Sequence, residues 1–155
     1  MSSRRKFFPP DKIKHNNTGK LKIGIVVSGW NHEITGKLLT GAYNILIKNK
    51  VKKGNITVLL VPGSFELPFG ASSLGKKRKY NAIICLGCLI KGETPHFNYI
   101  SSAVAHGIMN VGLQLGIPVI FGVLTTNNFR QAAARAGGKH GNKGSEAAET
   151  ALRMA

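Results

Sequence analysis

The sequence predicts an α/β fold, a three-layer sandwich in which a four-stranded parallel sheet carries helices on both faces. Three observations predict it. Four short runs are apolar almost throughout, as strands buried on both faces must be. Segments with helical periodicity separate them. Glycine and proline mark most of the changeovers. Parallel neighbours need such crossovers, and right-handed crossovers wind the helices over both faces of the sheet.

The elements follow in order. Residues 1–20 read as a flexible tail, with Arg4-Arg5-Lys6, Pro9-Pro10 and a polar His15-Asn16-Asn17-Thr18 stretch. Residues 21–155 read as one domain. Leu21 to Ser28 is a β-branched run closed by Gly29, hence a strand. Ile34, Leu38, Ala42, Ile45 and Leu46 recur at helical spacing through about Lys50. Gly54-Asn55 breaks the chain, and Ile56 to Val61 forms a second strand that Pro62-Gly63 stops. Phe65 to Leu74 reads as a helix with Pro68 in its first turn, where a missing N–H does little harm. Asn81 to Leu89 is the third strand, and His96 to Leu115 a long helix that Gly116 ends. Pro118 to Leu124 is the fourth strand, followed by helices over Asn127 to Ala136 and Lys143 to Met154. This is a small flavodoxin-like arrangement, whose ligands lie in the crevice at the C-terminal ends of the strands. No internal repeat is present.

The 155 residues are 43% hydrophobic, enough for a single packed core. No apolar run is long enough to span a bilayer. The charged N-terminus is followed by no apolar segment, so it is not a secretory signal, and the cytoplasm is the expected location. The formal net charge is +16, which brings anionic partners into view: nucleic acid, membrane surfaces and phosphorylated substrates. Residues 1–22 contain seven Lys/Arg and one Asp. The excess in the body reflects scarce acids more than a basic stripe, and nucleic acid is expected only through the tail. Six acids occur in all, and Glu66 and Glu93 sit inside otherwise apolar or glycine-rich motifs. The Cys85/Cys88 spacing resembles a redox pair. However, residues three apart on a strand face opposite sides roughly 10 Å apart, too far for a disulfide. No second cysteine pair completes a zinc site, and neither a metal nor an organic cofactor is expected.

The strand ends hold the residues with chemistry. After the first strand stand Trp30, the sole tryptophan, and Asn31. An indole at the mouth of the sheet either stacks on a heterocycle or packs over the strand ends. After the second come Gly63, Ser64, Phe65 and Glu66, where glycine permits a sharp turn into a helix N-terminus. Glu66 either favours the helix dipole or accepts hydrogen bonds from substrate hydroxyls. The third strand ends in Cys88-Leu89-Ile90 and continues Lys91-Gly92-Glu93-Thr94-Pro95-His96. Free N–H groups there can receive a phosphate, and His96 is suited to moving protons near neutral pH. Beyond the fourth strand, Arg135 and Lys143 flank a glycine-rich loop able to clamp an anion. Its spacing is not that of a P-loop.

Taken together, Lys22 to Val27, Val61-Pro62-Gly63-Ser64-Phe65-Glu66-Leu67-Pro68, Lys91-Gly92-Glu93-Thr94-Pro95-His96-Phe97, Pro118 to Thr125 and Arg135 to Gly144 resemble the lumazine synthase family. The resemblance covers residues 21–155. It implies a transferase of riboflavin biosynthesis, condensing a ribitylamino pyrimidinedione with dihydroxybutanone phosphate. By that resemblance Trp30 stacks on the pyrimidine and Asn31 follows it. Ser64, Phe65 and Glu66 hold the ribityl chain. The backbone of Cys88, Leu89 and Ile90 reads the pyrimidine edge. Glu93 and Thr94 match the phosphate-side turn, and His96 the catalytic proton shuttle. Phe121 and Arg135 match residues that close the site from the adjacent subunit, with Lys143 nearby. The resemblance further implies homo-oligomers, either pentamers or sixty-subunit shells, and association with riboflavin synthase. Cys88 stands where many members have threonine, and Asn98, Asn127 and Arg130 where acids are frequent. Two rival readings are a polyanion- or RNA-binding module, supported by charge, and a shell protein that has lost its chemistry, opposed by Glu66, His96 and Arg135.

Overall fold

Branched apolar side chains favour extended backbone, and four such runs form the sheet. The computed structural model describes residues 17–155. Expectations placed on residues 1–16 lie outside the described residues. A short 3-10 turn, Thr18–Lys20, precedes β1 (Ile23–Ser28), α1 (His32–Lys48), β2 (Ile56–Val61), α2 (Leu67–Lys77), β3 (Ala82–Ile90), α3 (His96–Leu115) and β4 (Val119–Thr126). Then come α4 (Phe129–Arg135), a small hairpin of β5 (Ala136–Gly138) and β6 (Gly141–Asn142), and α5 (Lys143–Met154).

The main sheet has the order β2-β1-β3-β4 and is parallel throughout. This is the expected flavodoxin-like α/β sandwich. After β2 the chain crosses β1 to lay down β3, so the strand order reverses between β1 and β3. Open α/β sheets bind ligands at such a reversal.

Alternate strand residues feed two cores, as a period of two requires. Ile23, Ile25, Val27, Ile84 and Leu86 pack with Leu38 and Leu46 of α1 and with Ala148 and Leu152 of α5. Val26, Ile83 and Cys85 pack on the other face with Leu67 and Ala71 of α2 and with Val104 and Ile108 of α3. Cys85 and Cys88 fall in different cores, and both thiols are free. Burial pushes the Cys85 thiol up to about 12 and that of Cys88 up to about 11, so both stay protonated near neutral pH.

Three local differences from the sequence expectation have physical reasons. Ser64–Glu66 forms a 3-10 turn before α2, with Pro68 near the start of the α-helix proper. That helix runs to Lys77 because Lys76 and Lys77 suit a helix C-terminus. The glycine-rich stretch after Arg135 is a hairpin, made possible by left-handed Gly137 (φ +102) and Gly141 (φ +80).

Candidate functional site at the strand ends

The crevice is built where β3 outlasts β1. Pairing with β1 ends at Leu86, whereas pairing with β4 continues to Ile90. The last residues of β3 therefore show an unpaired edge toward β1. Asn31 occupies part of it: its Nδ2 donates to the Cys88 carbonyl at 2.9 Å. Asn31 reaches that carbonyl from a left-handed backbone (φ 57), a conformation asparagine tolerates better than most residues. Its own carbonyl accepts from Ile34 N at 2.8 Å and so opens α1. One residue thus ties the ends of β1 and β3 together at the reversal.

Trp30 stands beside it. Its N–H donates to the Pro62 carbonyl at 3.0 Å, and Gly29 N donates to Val61 O at 2.8 Å, which binds this loop to the end of β2. The side chain is 68% exposed, yet one ring edge lies against Gly63. A Cβ at Gly63 would stand 2.7 Å from Trp30 Cε3 and 3.0 Å from Glu66 Oε2. One edge of the indole therefore packs over the strand ends, and the rest of the ring is exposed.

Gly63 N donates to Glu66 Oε2 at 2.9 Å, and Glu66 N donates to Gly63 O at 3.2 Å. The Glu66 carboxylate is thereby held at the turn with its other oxygen available. Ser64 is buried against Gly87 of β3, whose missing side chain makes room for it, and Phe65 is exposed. Ser28, at the end of β1, is 1% exposed, and its Oγ has no hydrogen-bond partner among the described residues.

Lys91, Gly92, Glu93 and Thr94 form an exposed turn, anchored where Lys91 N donates to Thr126 O at 2.8 Å. Pro95 caps α3 without a side-chain hydrogen bond, so the first N–H groups of that helix lack intrahelical partners. His96 begins the helix and is exposed. Trp30, Asn31, Ser64, Phe65, Glu66, Cys88, Leu89, Ile90, Glu93, Thr94 and His96 thus all stand at the C-terminal end of the sheet.

The other expected site residues lie elsewhere on the chain. Phe121 pairs in register with Cys85, in mid-sheet. It is 41% exposed and lines an apolar groove of about 590 Å³ with Met109, Leu113 and Met154. Arg135 donates from Nη1 to Gln131 O at 3.1 Å and lines a separate cleft. Lys143 Nζ is paired with Glu146 Oε2 at 2.7 Å. Among the described residues, no group of three or more His, Cys, Asp or Glu is placed to hold a metal. No helix among them is long and apolar enough to cross a membrane.

Comparison with known proteins bears on the family of the chain. The family model described as 6,7-dimethyl-8-ribityllumazine synthase matches residues 20–155. The 6,7-dimethyl-8-ribityllumazine synthase of Cytophaga hutchinsonii is 55% identical over 138 residues, covering 89% of this chain and 87% of the relative. That of Parabacteroides distasonis is 52% identical over 138 residues, covering 89% and 86%. That of Porphyromonas gingivalis is 50% identical over 135 residues, covering 87% and 84%.

Proposed function

This chain belongs to the 6,7-dimethyl-8-ribityllumazine synthase family, and from that premise we propose how its residues carry out the reaction. The chain is a transferase of riboflavin biosynthesis. It joins a ribitylamino pyrimidinedione to dihydroxybutanone phosphate.

The observation that carries the site assignment is the junction of Asn31, Trp30 and Glu66 at the strand reversal. A pyrimidine lies on the free face of Trp30, with its polar edge against the unpaired backbone of Leu89 and Ile90 beyond the Cys88 carbonyl that Asn31 occupies. Ser64, Phe65 and Glu66 hold the ribityl hydroxyls. The phosphate of the second substrate sits at the Glu93-Thr94 turn, where the α3 N-terminus offers free N–H groups.

The pyrimidine amine attacks the ketone, water leaves, and an imine forms. Phosphate then departs, and the ribitylamino nitrogen adds to the carbonyl that elimination leaves on the four-carbon chain, closing the ring with loss of the second water. The nucleophile comes from a substrate, so much of the rate arises from positioning. His96 accepts and returns protons during imine formation and elimination. Arg135 of an adjacent copy stabilises the departing phosphate, and Lys143, held by Glu146, adds charge to the same region. Phe121 of that copy covers the pyrimidine.

The oligomer is a pentamer or a shell of sixty subunits, in the cytoplasm, able to associate with riboflavin synthase. Support for assembly comes from the apolar groove where the exposed Met109, Leu113 and Phe121 lie together, since grouped exposed apolar side chains mark interaction sites.

The test follows lumazine formation optically from the two substrates against a control without protein. His96→Ala slows turnover with the assembly intact, and Arg135→Ala raises KM for the phosphate substrate. Mixing the two impaired variants restores part of the activity, because shared sites of two unaltered halves then form. Absence of acceleration by folded, oligomeric protein would refute the activity. Failure of the mixture to recover would refute the shared site.

A further inference from the structure

A concavity apart from the strand-end crevice is lined by cations of the chain. It is a cleft of about 860 Å³ between the middle of α1 and the end of α4 with its hairpin. That volume is within the range of roughly 300–1,000 Å³ found for ligand sites. Lys37, Arg130, Arg135, Lys139 and His140 line it, and the remaining lining is Gln131 with alanines and glycines. No carboxylate lines it.

The cations are not used internally. The side chains of Lys37, Arg130 and Lys139 are exposed and make no ion pair or hydrogen bond among the described residues. Glu33 stands one helical turn before Lys37 without pairing to it. Only Arg135 is tethered, through Gln131 O. The frame behind them is ordered: His140 N donates to Ala134 O at 2.8 Å, and Asn142 Nδ2 donates to Lys37 O at 3.0 Å. Four permanent cations gathered on a fixed frame, in a chain of net charge +16, repel one another unless an anion lies between them.

We propose that this cleft binds the phosphodiester backbone of a single-stranded nucleic acid, without regard to sequence. Guanidinium forks match phosphate oxygens. Apart from the His140 imidazole, the cleft is lined by no aromatic side chain on which a base could stack, and by no large apolar side chain on which a protein partner could anchor. Recognition is thus by charge, which carries affinity and no base readout. The cleft shares Arg135 with the proposed active site, so Arg135 is left unaltered in the test and the two readings can fail separately.

The experiment measures anisotropy of a labelled single-stranded oligouridylate with the full chain across a salt series. One variant combines Lys37→Ala, Arg130→Ala and Lys139→Ala. A second combines Arg4→Ala, Arg5→Ala and Lys6→Ala in the basic tail. A single strand contributes a salt slope of about 0.7 per neutralised phosphate. Losing three contacts therefore lowers the slope by about two and weakens binding by about tenfold or more at physiological salt. Lumazine formation by the cleft variant reports that its fold survives. Should that variant not fold, Arg130→Gln alone carries the test, with a slope change of about 0.7. Unchanged affinity and slope in the cleft variant would overturn the proposal. So would complete loss of binding in the tail variant alone, or equally tight binding of polyglutamate, which would point to an acidic protein.

Discussion

Gly63→Ala separates the site from the scaffold. The glycine has φ −132 and ψ 176, extended backbone that alanine adopts without strain. The new methyl stands 2.7 and 2.9 Å from Trp30 Cε3 and Cζ3 and 3.0 Å from Glu66 Oε2. Carbon atoms rest about 3.5–4.0 Å apart, so the indole must retreat by roughly 1 Å and the carboxylate must shift with it. The ring is largely exposed and can move. Replacing glycine also reduces the freedom of the unfolded chain, worth about 0.4–1 kcal/mol in favour of folding. Net stability therefore changes by less than about 1 kcal/mol. Displacing a positioning group by about 1 Å can lower a rate by about a hundredfold, and a loss of at least tenfold in kcat/KM is expected. Urea denaturation gives the first quantity and steady-state lumazine formation the second. Full activity in a folded variant would show that the indole does not work from its place over Gly63. A stability loss of several kcal/mol would show that the turn serves packing in the first place.

Asn31→Ala loses the hydrogen bond to the Cys88 carbonyl and forces alanine into left-handed backbone, for a total of about 2–3 kcal/mol. Asn31→Gly keeps the conformation and loses only about 1 kcal/mol, and urea midpoints distinguish the two. Gly144→Ala drives a methyl into the Leu38 backbone carbonyl; α1 and α5 must separate, and soluble yield should collapse. Lys50→Gly relieves a left-handed lysine (φ 68) just after α1 and raises stability by about 1 kcal/mol, read as a higher urea midpoint. Cys85 and Cys88 are harder to ionise folded, at about 12 and 11, than at the ordinary value of 9.0. Below pH 9 both states keep these protons. Above it the unfolded chain releases them first, so stability falls by about 1.4 kcal/mol per pH unit per thiol until the folded values are reached. Cys85→Ala should flatten that alkaline decline in urea titrations.

The strands and long helices were legible because each strand run feeds two cores. Ile23, Ile25 and Val27 face one layer and Val26 the other, so the sequence shows uninterrupted apolar residues and no alternation. The crevice was legible too, since its residues follow directly on strand ends. What escaped the sequence depends on contacts between distant segments. The hairpin after Arg135 is held by Asn142, which donates to Lys37 O from far along the chain. The bond from Asn31 to the Cys88 carbonyl exists only because β3 extends past β1, a matter of register that no local spacing records. An asparagine next to an exposed tryptophan and just before a helix was the available signal. The cation-lined cleft drew Lys37 from α1 together with Arg130 and Lys139, more than ninety positions further on, and only the folded chain makes them neighbours.

The placement of the proposed site residues constrains how copies assemble. The crevice begins at Cys88, whereas Phe121 lies in mid-sheet beside Cys85, facing the α3 layer and opening into the groove with Met154. Arg135 lies beyond β4 at the end of α4. If Phe121 and Arg135 complete the crevice, they do so on a neighbour's surface that differs from the crevice itself. Two arrangements supply every crevice. In a two-fold dimer the crevice and the Phe121 and Arg135 surface meet reciprocally within one self-complementary patch, so each copy completes its partner. In a head-to-tail contact each pair leaves one copy of each surface unsatisfied, and the contacts are satisfied throughout when the copies close into a ring. The proposed pentamer is of the second kind: each copy completes one neighbour's crevice and has its own completed by the other.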